Sequence, residues 1–300
     1  MPAHGNPTAA TLPRARRAAL VALARRRGLV IFADEVYHLL DWSAADAPRP
    51  HRLVTFDPAF RAGEGAAELG DDDDDDADDD DVYGGGGGGG APDADAADAG
   101  VVVSIGSFTK ILSPGVRLGW IEAAPALAAR VVRRSGYLTS GGGVAPFASE
   151  LVAHAIASRA QDAHLAAQRA ALAARARALV AALGEARVYA TPRGGYFAWV
   201  RVPRALSDAL ARDAGAFAAR FGVRVLPGSR CDPTGAEDGD ARGYVRCCFA
   251  HLSEQEVARG AERLVRACEA LAAESPRAKR PRDDGESEDD DGREGRPGGL

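Results

Sequence analysis

Apolar positions change their spacing several times along the chain, and each change marks an element. Between Pro13 and Arg27, Leu20, Leu23 and Ala24 recur at helical spacing. This predicts a helix with Thr11 as its cap, Pro13 near its start and Gly28 as its stop. Leu29 to Ala33 is then a short unbroken apolar run, read as a buried parallel strand that ends at Asp34-Glu35-Val36-Tyr37. Val101 to Ile105 and Leu118 to Glu122 read as two more strands. Helical spacing returns after Pro125 to about Tyr137, breaks at Gly141-Gly142-Gly143, and resumes in an alanine-rich stretch from Pro146 to Leu183. Arg187 to Thr191 and Tyr196 to Val202 alternate about a Gly194-Gly195 turn, as a β-hairpin does. A helix near 207–221, a strand near 223–226, a strand at 244–249 and a helix at 253–271 follow, the last with Ser253 and Glu256 as a capping box. The pattern predicts an α/β fold. A mostly parallel sheet occupies residues 1–145. A linking helix and a smaller α+β unit occupy 146–273.

Composition interrupts this picture twice. Residues 61–100 hold ten aspartates within Asp71–Asp81 and seven glycines at Gly84–Gly90, and read as a disordered insertion. They lack the ligand spacing of a calcium loop. Residues 274–300 read as a polar, disordered tail; aspartates directly follow its basic patch Lys279-Arg280-Pro281-Arg282, which argues against an import signal. These two segments hold most of the surplus acid behind the net charge of −6, so the remaining chain is net basic. Its arginines are spread through helical patterns and form no stripe, which favours small anionic ligands over nucleic acid. No apolar run is long enough for a membrane span, and Met1 to Pro7 do not resemble a secretory leader. Cys231, Cys247, Cys248 and Cys268 have no CxxC spacing. Their pattern predicts reduced thiols, no metal site and a cytoplasmic location.

One count changes the functional picture. The chain has two lysines, Lys110 and Lys279, and the second lies in the tail. A chain that uses arginine for nearly all its positive charge keeps a single lysine in its folding part. Lysine can lose its proton and form a Schiff base, which a guanidinium cannot do. Lys110 follows the Val101–Ile105 strand, at the carboxyl edge where α/β sheets bind ligands. Ser107, Thr109, Lys110 and Arg117 together suit a phosphorylated aldehyde: Lys110 for the Schiff base, Ser107 and Arg117 for the phosphate. On spacing alone, a polar loop with an exposed lysine explains them equally well. Asp34 also ends a strand, where a carboxylate can pair with a pyridinium nitrogen. Tyr37 and Asn6 can bond a ring oxygen. Taken singly, these three read as a cap, a packed ring and a turn.

Together the segments resemble a known family. His4-Gly5-Asn6-Pro7-Thr8 is similar to its Asn-Pro-Thr-Gly segment, with Ala9 where the family has glycine. Asp34-Glu35-Val36-Tyr37 resembles its Asp-x-x-Tyr. Ser107 to Gly119 resembles its Ser-x-Ser-Lys-x-x-x-Pro-Gly-x-Arg-x-Gly. Gly194-Gly195-Tyr196-Phe197 resembles its Gly-Gly-x-Phe, and Tyr244-Val245-Arg246 its late arginine strand. On these motifs the chain is identified as a member of the class I/II pyridoxal-phosphate aminotransferases of fold type I. Ser140 to Gly143 and the Pro-Gly of the lysine loop resemble the branch near 2-aminoadipate and aromatic aminotransferases.

The resemblance implies pyridoxal 5'-phosphate as cofactor and a homodimer. It implies transamination between an α-amino acid and a 2-oxo acid. Lys110 becomes the Schiff-base lysine and proton carrier, and Asp34 the pyridinium partner. Asn6 and Tyr37 bond the ring oxygen, Ser107, Thr109 and Arg117 bind the phosphate, and Arg246 grips the substrate α-carboxylate. It also implies a missing N-terminal part that in relatives supplies a glycine-led phosphate loop and several strands. A partial large domain of this kind leaves two further readings open: a non-catalytic fragment or binding module, and a lyase on the same fold. Regulators that carry this domain behind a helix-turn-helix are not supported, since the sequence shows no such region.

Overall fold

The computed structural model describes residues 2–43, 49–63, 99–135, 143–234 and 239–274. The sequence readings of the acidic–glycine insertion and of the polar tail fall almost wholly outside these residues, as does most of Ser140–Gly143.

The first helix, α1 (Arg14–Arg27), ends as predicted at Gly28, which takes a left-handed conformation and returns its N–H to Ala24 and Arg25. Its start and its buried face differ from the prediction. Thr11 does not cap it; its hydroxyl accepts from His4 N. The face turned inward is Arg17, Val21 and Ala24, while Leu20 and Leu23 lie more than a third exposed. Arg17 can be buried because its guanidinium donates to the main-chain carbonyls of Leu12, His51 and Pro2.

The large sheet has the order β1 (Ile31–Asp34), β2 (Val102–Ser107) and β3 (Gly119–Glu122). β1 and β2 are parallel, with Asp34 opposite Ile105. β3 runs antiparallel to β2, with Ser107 opposite Gly119. The connection from β2 to β3 is too short for a parallel crossover, which takes a dozen or more residues. The chain therefore folds straight back, and Phe108 N bonds Leu118 O at the base of the loop. A short helix, α2 (Pro58–Gly63), precedes the insertion. Buried Asp57 accepts from the main-chain N–H groups of Val101 and Val102, at 2.6 and 3.0 Å. It thereby joins the chain on the two sides of the insertion.

A one-turn helix, α3 (Phe108–Ile111), carries Lys110. After β3 come α4 (Pro125–Arg134) and α5 (Pro146–Ala157). The predicted long helical stretch breaks at Arg159, whose φ is 61°, before α6 (Ala160–Leu183). The second sheet is antiparallel, with β4 (Phe197–Arg201) and β5 (Leu226–Pro227) flanking β6 (Tyr244–Cys248). The predicted hairpin is present as a bridge between Val188 and Val200. The helices α7 (Arg204–Arg212), α8 (Ala214–Phe221) and α9 (Glu254–Glu274) complete this unit. The capping box forms as predicted: Ser253 N donates to Glu256 and Glu256 N donates to Ser253.

Two apolar clusters result. The smaller holds Val21, Ala24, Leu53, Val54 and Val102 beneath the large sheet. The larger is built on α6, α9, β4 and β6, and it also takes in Tyr37, Leu40 and Ile111. The turns after β1 and β2 are thus packed against the C-terminal unit. Phe32, on edge strand β1, is 64% exposed. Along β6, Cys247 faces the core and Cys248 faces out, as expected of neighbours on one strand.

Candidate active site

Parallel pairing brings the carboxyl ends of β1 and β2 side by side, so Asp34 and Ser107 project from one edge of the sheet. Ser107 caps α3, its Oγ accepting from Thr109 N at 3.1 Å. The cap turns the chain sharply enough for Lys110 to sit half-buried one turn later. Lys110 Nζ lies 5.8 Å from the ring centre of Tyr37 and 5.9 Å from that of Tyr196. The two rings are 5.3 Å apart and tilted. Their negative faces suit a cation.

Tyr37 is nearly fully buried. Burial, with smaller contributions from Tyr196 and Asp34, raises its phenol to about 12, so the hydroxyl stays a hydrogen-bond donor near neutral pH. Burial likewise raises the Tyr196 phenol. The neighbouring Glu35 is also raised by burial; it accepts from Ser104 Oγ and from Leu53 N and ties the turn after β1 to the smaller core.

Arg246 comes from the middle of β6. Its guanidinium stands 4.3 Å from the ring centre of Phe197, and Nη1 donates to Asn6 Oδ1 at 2.8 Å. Residues 240 positions apart in the chain thus share one polar cluster. Arg117 takes a left-handed backbone, φ 50°, and its exposed guanidinium donates to Pro114 O at 3.4 Å. The structure therefore gathers Asn6 with Arg246, and Tyr37 with Lys110. Ser107 and Thr109 pair with each other, and Arg117 points its hydrogen bond at its own loop. Asp34 is exposed at the sheet edge.

Several participants escape sequence reasoning. His4 is buried, and its Nε2 approaches Asp41 Oδ2 to 2.8 Å. A Cβ on Gly194 would sit 2.4 Å from the His4 ring, and Gly195 has φ 75°. The Gly-Gly pair is thus required by the imidazole packed against it and by a left-handed turn. Tyr196 Oη donates to Lys110 O at 2.6 Å, and Gln168 Nε2 donates to the same oxygen at 2.9 Å. Nothing in a single glutamine of an alanine-rich helix announces such a contact. Among the described residues no helix is long and apolar enough to cross a membrane, and no group of three or more His, Cys, Asp or Glu side chains is placed to hold a metal.

The chain is 26% identical over 284 residues to the uncharacterized protein YER152C of Saccharomyces cerevisiae, covering 91% of this chain and 56% of that protein. It is 26% identical over 280 residues to a 2-aminoadipate transaminase of Thermus thermophilus, covering 91% and 57%. The chain spans a little over half the length of these relatives. Among solved structures, LysN, the α-aminoadipate aminotransferase of Thermus thermophilus complexed with a phosphopyridoxyl-leucine, superposes with a TM-score of 0.63 at 23% identity, over 91% of this chain and 58% of that one. The multiple substrate aminotransferase of Thermococcus profundus gives a TM-score of 0.66 at 21% identity, over 91% and 56%. These likenesses show the fold, that of the fold type I pyridoxal-phosphate enzymes. The model of the family described as Aminotransferase class I and II matches residues 79–264, well over half of the chain, and the chain belongs to that family.

Proposed function

We propose that this protein is a pyridoxal-phosphate-dependent aminotransferase that moves an amino group from an α-amino acid to a 2-oxo acid, with Lys110 as the lysine that takes the cofactor. The observation that carries the reading is the position of Lys110 Nζ. It lies over the rings of both Tyr37 and Tyr196, beside the sheet edge that presents Asp34 and Ser107.

The residues present fit the cofactor. A phenol kept protonated by burial, an exposed carboxylate at a strand end, a serine hydroxyl and an exposed guanidinium are the donors and acceptors that a phosphorylated pyridine aldehyde requires. When bound, the group supplies an electron sink for charge developing at the substrate α-carbon. Asp34 would hold the ring nitrogen and Tyr37 Oη would donate to the ring oxygen, with Asn6 beside it. Ser107, Thr109 and Arg117 would take the phosphate. Arg246, already donating to Asn6 through Nη1 and seated on Phe197, would bind the α-carboxylate in bidentate fashion. Lys110 Nζ would accept the α-proton and return it. The name of the Thermus relative speaks for an amino-acid donor. A homodimer is part of this reading.

The same coverage figures, a little over half of each relative, favour one second reading: a fragment of this fold that does not itself catalyse. Titration of the full chain with pyridoxal phosphate, wild type beside Lys110→Ala, separates the two. In the first reading wild type alone develops a pH-sensitive visible band, and borohydride fixes the cofactor to the Lys110 peptide. Fixed cofactor in Lys110→Ala refutes the lysine assignment. A silent wild type supports the fragment.

A further inference from the structure

Helix α6 makes a series of hydrogen bonds that core packing does not demand. Gln161 Nε2 donates to Ile111 O at 2.8 Å, and Gln168 Nε2 donates to Lys110 O at 2.9 Å. Arg169 Nε donates to Leu39 O at 2.7 Å, and Arg175 Nη1 donates to Ala250 O at 2.6 Å. All four acceptors are main-chain carbonyls, and all four lie on segments that carry the site. Lys110 and Ile111 belong to α3. Leu39 lies two residues after Tyr37. Ala250 lies just beyond the strand of Arg246. Gln161, Gln168 and Arg175 are spaced seven residues apart, which keeps them on one side of the helix over about 21 Å.

The need for these bonds is local. The last four carbonyls of any helix lack partners within it. In a one-turn helix that is nearly the whole element, so Lys110 O and Ile111 O must be satisfied from elsewhere. Lys110 O fills both lone pairs, one with Gln168 and one with Tyr196 Oη, and Gln168 Nε2 also reaches Tyr196 Oη at 3.2 Å. The Tyr196 ring is one of the two over which Lys110 Nζ lies. The same side chain therefore fixes the lysine's backbone and walls its amine. The same side of α6 is buried through Leu165, Leu172, Leu179 and Leu183, which makes the helix a rigid support.

We propose that α6 is a positioning spine: Gln161 and Gln168, with Tyr196, lock the Lys110 turn, while Arg169 and Arg175 hold the Tyr37 turn and the end of the Arg246 strand in register with it. None of these side chains is assigned contact with substrate or cofactor; they act through the backbone of residues that are. The part of the inference concerning chemistry rests on the reading of Lys110 as the cofactor lysine. The part concerning the position of its amine does not.

The chain's two lysines make the test direct. The full chain is treated briefly with a small amine-acylating reagent, without cofactor, and the labelled Lys110 peptide is compared with the Lys279 peptide as internal reference. Gln168→Glu keeps the side chain's shape but replaces the donating amide with a group that cannot donate when ionised. Tyr196→Phe keeps the ring and removes the hydroxyl. Arg263→Ala removes a bond of the same kind, to Gly222 O, outside the four and serves as control. Either of the first two changes should raise the Lys110-to-Lys279 labelling ratio about five-fold, the equilibrium equivalent of one hydrogen bond. The same variants should lower the rate of borohydride-fixable pyridoxal phosphate uptake at Lys110 about ten-fold. Arg263→Ala should change neither. Unaltered labelling in both folded variants overturns the spine, as does an equal rise in the control. Should Gln168→Glu fail to fold, Tyr196→Phe alone decides. If wild type takes up no fixable cofactor, the reading of Lys110 fails while the labelling ratio still judges the spine.

Discussion

Ala9 holds a left-handed backbone, φ 61°, directly after Asn6-Pro7-Thr8, and its N–H closes a bond to Gly5 O at 2.6 Å. An L-residue with a Cβ is strained there, and glycine is not. This gives a physical reason for the glycine that the family motif has at the corresponding point. Ala9→Gly should stabilise the chain by about 0.5–1 kcal/mol, the left-handed penalty less the extra entropy of glycine. A denaturant midpoint that stays put or falls would contradict this. His38 sets a second residue-scale expectation. Burial, reinforced by the charges of Arg52 and His4, lowers its imidazole to about 4, and its Nδ1 is buried without a hydrogen-bond partner among the described residues. The folded chain thus keeps His38 neutral where the unfolded chain protonates it near 6.5. Its contribution is fully present above that value and is lost as pH falls from 6.5 toward 4, to the extent of about 3 kcal/mol. Glu35, raised by burial, acts with the opposite sign. His38→Gln should flatten the acid limb of the stability curve, measured as urea midpoints across that window. An unchanged limb would assign the acid sensitivity elsewhere.

At the scale of elements, the test of α1 is a contrast between neighbours. Val21 is 2% exposed and Leu20 is 38% exposed. Val21→Ala should cost about 2 kcal/mol and Leu20→Ala well under 1 kcal/mol, although leucine loses more atoms. Equal losses in thermal unfolding would restore the face predicted from sequence. That prediction failed for a definite reason: a helix with three arginines in its last turn and alanines on several sides offers no clean apolar stripe, and tertiary bonds to Arg17 chose the face. Other elements were legible because local chemistry decides them. Gly28 ends its helix and the Ser253–Glu256 box begins its own through bonds made within a few residues of themselves. The direction of β3 was not read in advance, although the length of its connection holds the answer. The site divides in the same way. Lys110, Asp34, Tyr37 and Arg246 lie in the segments that carry the family resemblance. The partners of Lys110 O come from residues 168 and 196, and only the folded chain brings them within 3 Å of it.

At the scale of the whole molecule, the acidic–glycine insertion interrupts the large sheet between β1 and β2, yet those strands pair in continuous register. Asp57 explains how. Its carboxylate is fully buried, accepts from Val101 N and Val102 N, and faces Arg25 at 3.4 Å. Gly100 also lies against Ala59 and Ala124, so the chain leaving the insertion touches the chain entering it. Among the described residues, the closure is made by the flanks. Loop-closure entropy changes slowly with length, each doubling costing about 0.6 kcal/mol. Replacing residues 64–98 with a flexible linker of roughly eight residues should therefore leave stability within about 1 kcal/mol of wild type. Asp57→Ala in the intact chain should cost about 3 kcal/mol, because two buried N–H groups lose their acceptor. Chemical unfolding of the two variants side by side gives the answer. Retained stability in the deletion with a large loss in Asp57→Ala means that the three atoms of one carboxylate, and not the long segment, hold β2 against β1. The reverse result would make the insertion itself a structural part of the sheet.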